Sequence, residues 1–410
     1  MADEALAPRI RTAVPLDVVT TSSRVPKLVG VAWGLLLVNT LGFNGGSELI
    51  IPFPHATGQI VTMGALCAAL AIALALNPRM RVRPNAYLVL LAVLAVIATA
   101  SSLRLEAGLG SLFRCFRLIV FVATLWLLTP WWRGDLRMPV FHLRALVAVL
   151  FTVLAGLIIS PGAAFSGPNG RLVGALWPIP PPQVAMYSAT AIALAAMLWL
   201  YNAVDGRSAL LICVPAAVLL LLSHTRTAMA GLVVGLVVAG VSAVFSSERI
   251  RRFMGTVIAA GVVGGLLFSV AIQTWLTRGQ DASQLTSLTG RADVWDALLN
   301  RDRSFDDLLI GIGLTDKSFN GLPIDSAWLS AYNELGMAGV AIAAGLLLVL
   351  LVGAILRPPS PQRTIAIYLV VYSCVASYTE VGLGDASPYL LNLCVAAALI
   401  AVPARRDAPS

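Results

Sequence analysis

This sequence is poor in charge: Asp, Glu, Lys and Arg supply 12% of its 410 residues, against 58% hydrophobic. A water-soluble domain cannot hide that much apolar surface, so a soluble globular protein is excluded and the surplus must face lipid. Histidine is scarcer still. His55, His142 and His224 are scattered and give no metal-ligand spacing. The five cysteines, Cys67, Cys115, Cys213, Cys374 and Cys394, form no CxxC pair and all fall within apolar runs. They read as small buried hydrophobes, not as disulfides or metal ligands. No DxD or EF-hand pattern, P-loop or GxGxxG rises above noise, so no cofactor or metal is expected. Residues 1–27 contain Pro8, Pro15 and Pro26 and lack the apolar core of about 7–15 residues that a cleavable signal needs. They are expected to form a disordered cytoplasmic tail. The net charge of +8 does not point to nucleic acid, because the cations sit in loops between apolar runs and build no continuous basic surface.

What the chain has in abundance is apolar runs near the roughly 20 residues that cross a bilayer core. The expected fold is all-α and polytopic, with about twelve transmembrane helices. The spans are placed near 28–43, 59–76, 85–101, 109–129, 145–160, 183–201, 209–222, 227–245, 254–274, 335–356, 365–381 and 388–402. Helices 1–9 thus occupy 28–274 and helices 10–12 occupy 335–402. A short tail, 403–410, follows. With the N-terminus inside, alternate loops and both tails hold 18 of the 28 Lys and Arg residues, and this bias puts both termini in the cytoplasm. Two external segments are long, 161–182 and 275–334. The second, between the ninth and tenth spans, is the only extended polar region, and long ordered loops usually carry function. Ala292, Trp295, Leu298 and Leu299 sit at helical spacing and predict a short surface helix over 290–300, capped by Thr289. A second helix over 325–334 is expected to run into the tenth span.

Ionisable groups at or near membrane depth are expensive, so each is informative. Arg114 and Arg117 share one face of the fourth span at i,i+3 spacing. They read either as side chains snorkelling to headgroups or as a phosphate clamp. Arg226 lies in the tight turn SHTRTA, among Ser223, Thr225 and Thr227. It is an interfacial anchor or a diphosphate ligand, for which the planar guanidinium is suited. Arg291 opens the surface helix, where a helix N-terminus favours anions. Its alternative is a salt bridge to Asp293 or Asp296. Arg171 is a further external arginine. Asp325 either caps a helix or takes a proton from an attacking hydroxyl. Glu334, nine residues on, is a substrate contact or purely structural.

In combination, SHTRTA at 223–228, TGRADVW at 289–295, GIG at 311–313 and DSAWLSAYNELGMAG at 325–339 resemble the bacterial O-antigen ligase and polymerase superfamily. GRLVGALWP at 170–178 is also similar to a family segment. The likeness covers roughly residues 165–345. Each motif alone is weak, and their order and spacing are more specific. The family commonly has His-Asn where this chain has Asp325-Ser326, and that histidine is its usual candidate for acceptor activation. The resemblance implies a metal-independent, inverting glycosyltransferase of the bacterial inner membrane. A glycan on undecaprenyl diphosphate would be the donor, and a hydroxyl of a glycan or lipid-glycan the acceptor. Arg226 and Arg291 would act with Asp325 in catalysis, and Arg171, Arg114, Arg117 and Glu334 would bind substrate. Two other readings stay open: a twelve-helix secondary transporter, and a non-catalytic membrane partner of a polysaccharide assembly complex. Against the transporter, no pair of Gly/Pro-broken helices stands in matching halves, and the long loop lies late in the chain.

Overall fold

The computed structural model describes residues 25–42, 48–52, 54–104, 108–244, 251–252, 255–256, 291–315 and 317–401. Apolar runs without charge form helices because, away from water, the backbone must satisfy its own hydrogen bonds. In chain order these are α1 (Lys27–Asn39), α2 (His55–Leu76), α3 (Ala86–Arg104), α4 (Gly108–Leu128), α5 (Arg137–Ile159), the single turn α6 (Pro161–Ala164), α7 (Pro181–Leu200), α8 (Gly206–Leu222) and α9 (Arg226–Val244). The segment before the tenth expected span contributes α10 (Arg291–Leu299), α11 (Phe305–Ile310) and a hairpin of β1 (Ser318–Phe319) and β2 (Leu322–Pro323). The chain ends in α12 (Ala327–Ile355), α13 (Pro361–Ala376) and α14 (Pro388–Ile400).

Seven of the described helices, α2 to α5, α7, α9 and α12, are long and apolar enough to cross a membrane; α1, α8 and α14 are shorter apolar helices. The fold is therefore helical and polytopic. Eleven of the twelve expected spans overlap a described helix, and the ninth, 254–274, lies almost wholly outside the described residues. α5 begins eight residues before its expected start at 145, because Arg137 to Arg144 continue the helix past the apolar run. Thr289, the expected cap of α10, and most of the tail 1–27 also lie outside the described residues.

The helices pack through small residues and buried polar contacts. On α9, Gly231 and Gly235 form a G-x-x-x-G stripe against the rings of Tyr372 and Tyr368 on α13. A Cβ on either glycine would stand within 3.0 Å of ring carbons. Such stripes let helix backbones approach closely. Deep in the bundle, Trp33 donates to His142 Nδ1 (3.1 Å) while His142 Nε2 faces Asn392 Oδ1 at 2.7 Å. An accepting Nδ1 leaves the proton on Nε2, so a neutral imidazole ties α1, α5 and α14 together. Cys115 and Cys394 are buried as expected, but Cys67 and Cys374 are exposed on the outer faces of α2 and α13, and all five thiols are free. An apolar helix all of whose neighbours lie on one side has an outer face too, which composition alone does not reveal.

Loops gather at two ends of the bundle. At one end, Arg83 Nη1 donates to Trp132 O (3.1 Å), Arg357 Nη2 to Ala401 O (2.7 Å), and Tyr201 pairs with Thr364. At the other, Gly42 N meets Gln183 Oε1, Ile50 N meets Ala175 O, and Ala327 N meets Ser377 O. This second end carries all the candidate residues.

Candidate functional site

The segment before α12 is built on one backbone interruption. At Gly336 the helix breaks (φ 62°, ψ −161°), a region open essentially only to glycine. The break leaves the carbonyls of Asn333 and Glu334 without helical partners. Ile312 N and Gly313 N supply them at 3.0 and 2.9 Å. Gly311 lies so close to this stretch that a Cβ would overlap the Glu334 carbonyl, and one on Gly336 would overlap that of Leu309. The G-I-G and E-L-G motifs are thus two halves of one backbone junction. Glu334 is fully buried within it. It accepts from Thr315 N (2.9 Å), Thr315 Oγ1 and Ser330 Oγ. These contacts hold the loop to the helix.

Arg291 and Asp325 meet, 34 residues apart in the chain. Arg291 Nε donates to Asp325 Oδ2 at 3.0 Å, with side chains 30% and 37% exposed. Asp325 therefore does not cap α12, whose first amides are served by Ser377 O and Ser326 backbone, and Arg291 pairs with neither Asp293 nor Asp296. α10 is docked by Trp295 edge-on to Tyr378 (5.5 Å between ring centres). Trp328 Nε1 donates to Ser377 Oγ at 2.9 Å. The 377–387 loop between α13 and α14 thus receives both α10 and the start of α12.

Arg171 reaches the same place from the other long loop. Its Nε donates to Ser223 O (2.9 Å) and its Nη2 to Thr225 Oγ1 (2.8 Å), which fixes the guanidinium over the turn that ends in Arg226. Leu172 N also bonds Leu222 O, so the 161–180 segment folds back onto the bundle. Thr227, one residue after Arg226, hydrogen-bonds Thr379. The close approach of α9 and α13 through Gly231 and Gly235 makes that contact possible.

A residue the sequence reading missed completes the cluster. Glu380 follows Thr379 and lies within electrostatic reach of Arg171, Arg291 and Asp325. Burial pushes its carboxyl up to about 7; Arg291 pulls it down, Asp325 adds to the rise and Arg171 opposes it. Cationic arms and two carboxylates of different surroundings therefore share one end of the bundle. The chemistry open to such a set is binding a diphosphate and moving a proton.

Arg114, Arg117 and Glu334 belong to a neighbouring cluster. Arg117 donates to the Asn39 backbone and side chain. Lys317 pairs with Asp385 at 2.8 Å, both largely buried. Burial acts to raise the Asp385 carboxyl, but Lys317, Arg117 and Arg114 together hold it below its ordinary value. Both arginines thus lie within electrostatic reach of the Asp385 carboxyl. Lys317 is presented by the β-hairpin, whose Asn320-Gly321 turn (φ 51° and 77°) is the usual two-residue hairpin signal. Among the described residues, no three His, Cys, Asp or Glu side chains gather as metal ligands.

The chain matches no curated protein. A family match covers the turn after α8, Arg226, Arg291, Asp325 and Glu334, and leaves Arg171 and Glu380 outside. Residues 211–334 match the family model for O-antigen ligases.

Proposed function

We propose that this multi-pass membrane protein transfers a glycan from an undecaprenyl diphosphate donor to an acceptor hydroxyl at the outer face of the bacterial inner membrane. In this reading twelve spans leave both termini in the cytoplasm and the site end outside. The observation that carries it is the convergence of Arg171, Arg226 and Arg291 with Asp325 at one end of the bundle, drawn from segments far apart in the chain. Arg171 and Arg291, held in place by hydrogen bonds, are preorganised for the negative charge that grows on a departing diphosphate. They act where a metal ion acts in other transferases. The product configuration is inverted, because a single displacement places acceptor and leaving group on opposite sides of the anomeric carbon. Asp325 holds Arg291 in place and lines the acceptor side.

Binding of undecaprenyl diphosphate to the full-length protein in nanodiscs tests the donor site. Lysine keeps the charge of arginine but loses its fork. Losing one charge-assisted contact costs about 1.5–3 kcal/mol, so Arg291→Lys and Arg226→Lys are each expected to weaken binding roughly ten- to hundredfold. Wild-type affinity in both variants would sink the clamp. Glycan profiling of a deletion strain tests the reaction itself: an unchanged envelope glycan profile removes the transferase reading. Activity is expected to survive chelation, and full loss in EDTA restored by Mg²⁺ or Mn²⁺ would refute a metal-free site.

A further inference from the structure

We propose that Glu380, in the loop between the last two helices, is the residue that takes the proton from the acceptor hydroxyl. This rests on the transferase reading above and assigns one of its roles.

Two carboxylates stand in the cluster, and their surroundings divide the work. One oxygen of Asp325 is held by Arg291 at 3.0 Å. Protonating Asp325 would remove the charge that holds the guanidinium the donor site needs. Glu380 has no such ion pair among the described residues. It sits two residues after Tyr378, on which Trp295 of α10 packs, and within electrostatic reach of Arg291 from α10, Asp325 from the start of α12, Arg171 from the 161–180 segment, Tyr372 from α13 and Tyr389 from α14. Its place is fixed by the backbone: Glu380 N bonds Ala376 O at 2.9 Å, and the preceding Thr379 hydroxyl is tied to Thr227 of α9. A carboxylate anchored this way, next to the diphosphate ligands but not itself paired, is placed to receive a proton without dismantling them.

The step balances without any further reactant. The acceptor oxygen forms a bond to the anomeric carbon. The bond from that carbon to the phosphate oxygen breaks, and its electron pair leaves with the diphosphate, whose charge Arg171, Arg226 and Arg291 receive. The hydroxyl proton passes to Glu380 and leaves to water after the product departs. A group that titrates near neutral pH suits this duty, since it is deprotonated often enough to accept and basic enough to hold a proton.

The test uses membranes containing the full-length protein, with transfer measured by incorporation of the host strain's own lipid-linked glycan between about pH 5.5 and 8.5, a range that brackets the expected midpoint. Undecaprenyl diphosphate binding is measured in parallel on the purified protein in nanodiscs. The wild-type rate is expected to climb with pH, with a midpoint near 7. Glu380→Gln is expected to lower the rate by about 10²–10⁴, abolish that climb, and leave diphosphate affinity within about threefold of wild type. Glu380→Asp, one carbon shorter, is expected to recover part of the rate and the pH dependence with it. A rate in Glu380→Gln close to wild type, or a binding loss as large as the rate loss, overturns the assignment. So does a wild-type rate flat across the range, which needs no variant and stands even if Glu380→Gln fails to accumulate. Loss of binding in Arg291→Lys and Arg226→Lys is a separate arm: if it fails, the donor site is wrong; if it holds while Glu380→Gln stays active, only the base is.

Discussion

Asp325 holds Arg291 through a single oxygen, and that ion pair decides what its replacement does. A pair this exposed is worth about 0.2–1 kcal/mol. Asp325→Asn, if Asp325 only positions Arg291, is therefore expected to weaken diphosphate binding by no more than about fivefold. If Asp325 were instead the proton acceptor, turnover would fall by about 10²–10⁴ with binding little changed. Measuring both quantities on one preparation separates these roles, and the second pattern would return the base to Asp325. Glu380 offers an independent readout in stability. Its carboxyl titrates well above the ordinary range because burial disfavours its charge. The folded protein therefore holds a proton there that the unfolded chain has already lost between about pH 4.5 and 7. Stability associated with this group is full below the ordinary carboxylate range and is lost as pH rises through about 7. Thermal unfolding of the solubilised protein is expected to occur at lower temperature at about pH 8 than at about pH 5.5, and Glu380→Gln to remove that part of the difference. An identical pH dependence in the variant would show that the loss arises elsewhere. Arg171, Arg226, Arg291 and Asp325 are legible in the sequence because a charged group is conspicuous beside apolar runs. Glu380 is not. It falls at the end of the expected span 365–381, although α13 stops at Ala376, and what makes it interesting is the company of Arg171 and Arg291, far away in sequence.

Among the elements, the broken helix at Gly336 is where backbone geometry and site meet. The expected helix over 325–334 does run into the following span, but it does so through a turn of φ 62°, ψ −161°. Periodicity places both halves and not the break, because the break depends on Gly311 to Gly313 arriving to bond the freed carbonyls. The Asn320-Gly321 hairpin likewise escapes a pattern reading, although its turn dipeptide is in plain view, because its strands are two residues each and carry no alternating pattern. Gly336→Ala forces a side chain into a nearly glycine-only region and into the Leu309 carbonyl. Such strain costs of order 1–3 kcal/mol. The variant is expected to unfold several degrees earlier in a thermal shift assay and to lose transfer activity together with it. The neighbouring Met337 supplies the control: it is half exposed on the same helix, and Met337→Ala is expected to be nearly silent. Equal effects of the two substitutions would mean that the junction carries no special strain.

The molecule as a whole has its apolar surface on the outside. Leu211 of α8, Phe151 and Ile158 of α5 and Val96 of α3 expose about two thirds or more of their area. In water that would be an aggregating patch; around a bundle of long apolar helices it is a lipid-facing belt. The two ends of the bundle then differ in kind. One gathers Arg79, Arg81, Arg83, Arg133, Arg137, Arg207, Arg357 and Arg363 in the loops and helix starts beyond α2, α4, α7 and α12, with few acids among them. The other carries Arg171, Arg226 and Arg291 beside Asp325, Glu380 and the Lys317–Asp385 pair. An excess of Lys and Arg in short loops marks the cytoplasmic side, while the arginines of the site end are accompanied by carboxylates and polar loops. This predicts the orientation. In a variant stripped of its five cysteines, a cysteine at Ser360, between α12 and α13 at the arginine-rich end, is expected to resist a membrane-impermeant maleimide in intact spheroplasts and to react after lysis. A cysteine at Ser283, in the long external segment, is expected to react in both. The opposite pattern would put the arginines and carboxylates of the site in the cytoplasm, where an outer-leaflet glycan donor cannot reach them, and the proposed reaction would fall with the topology.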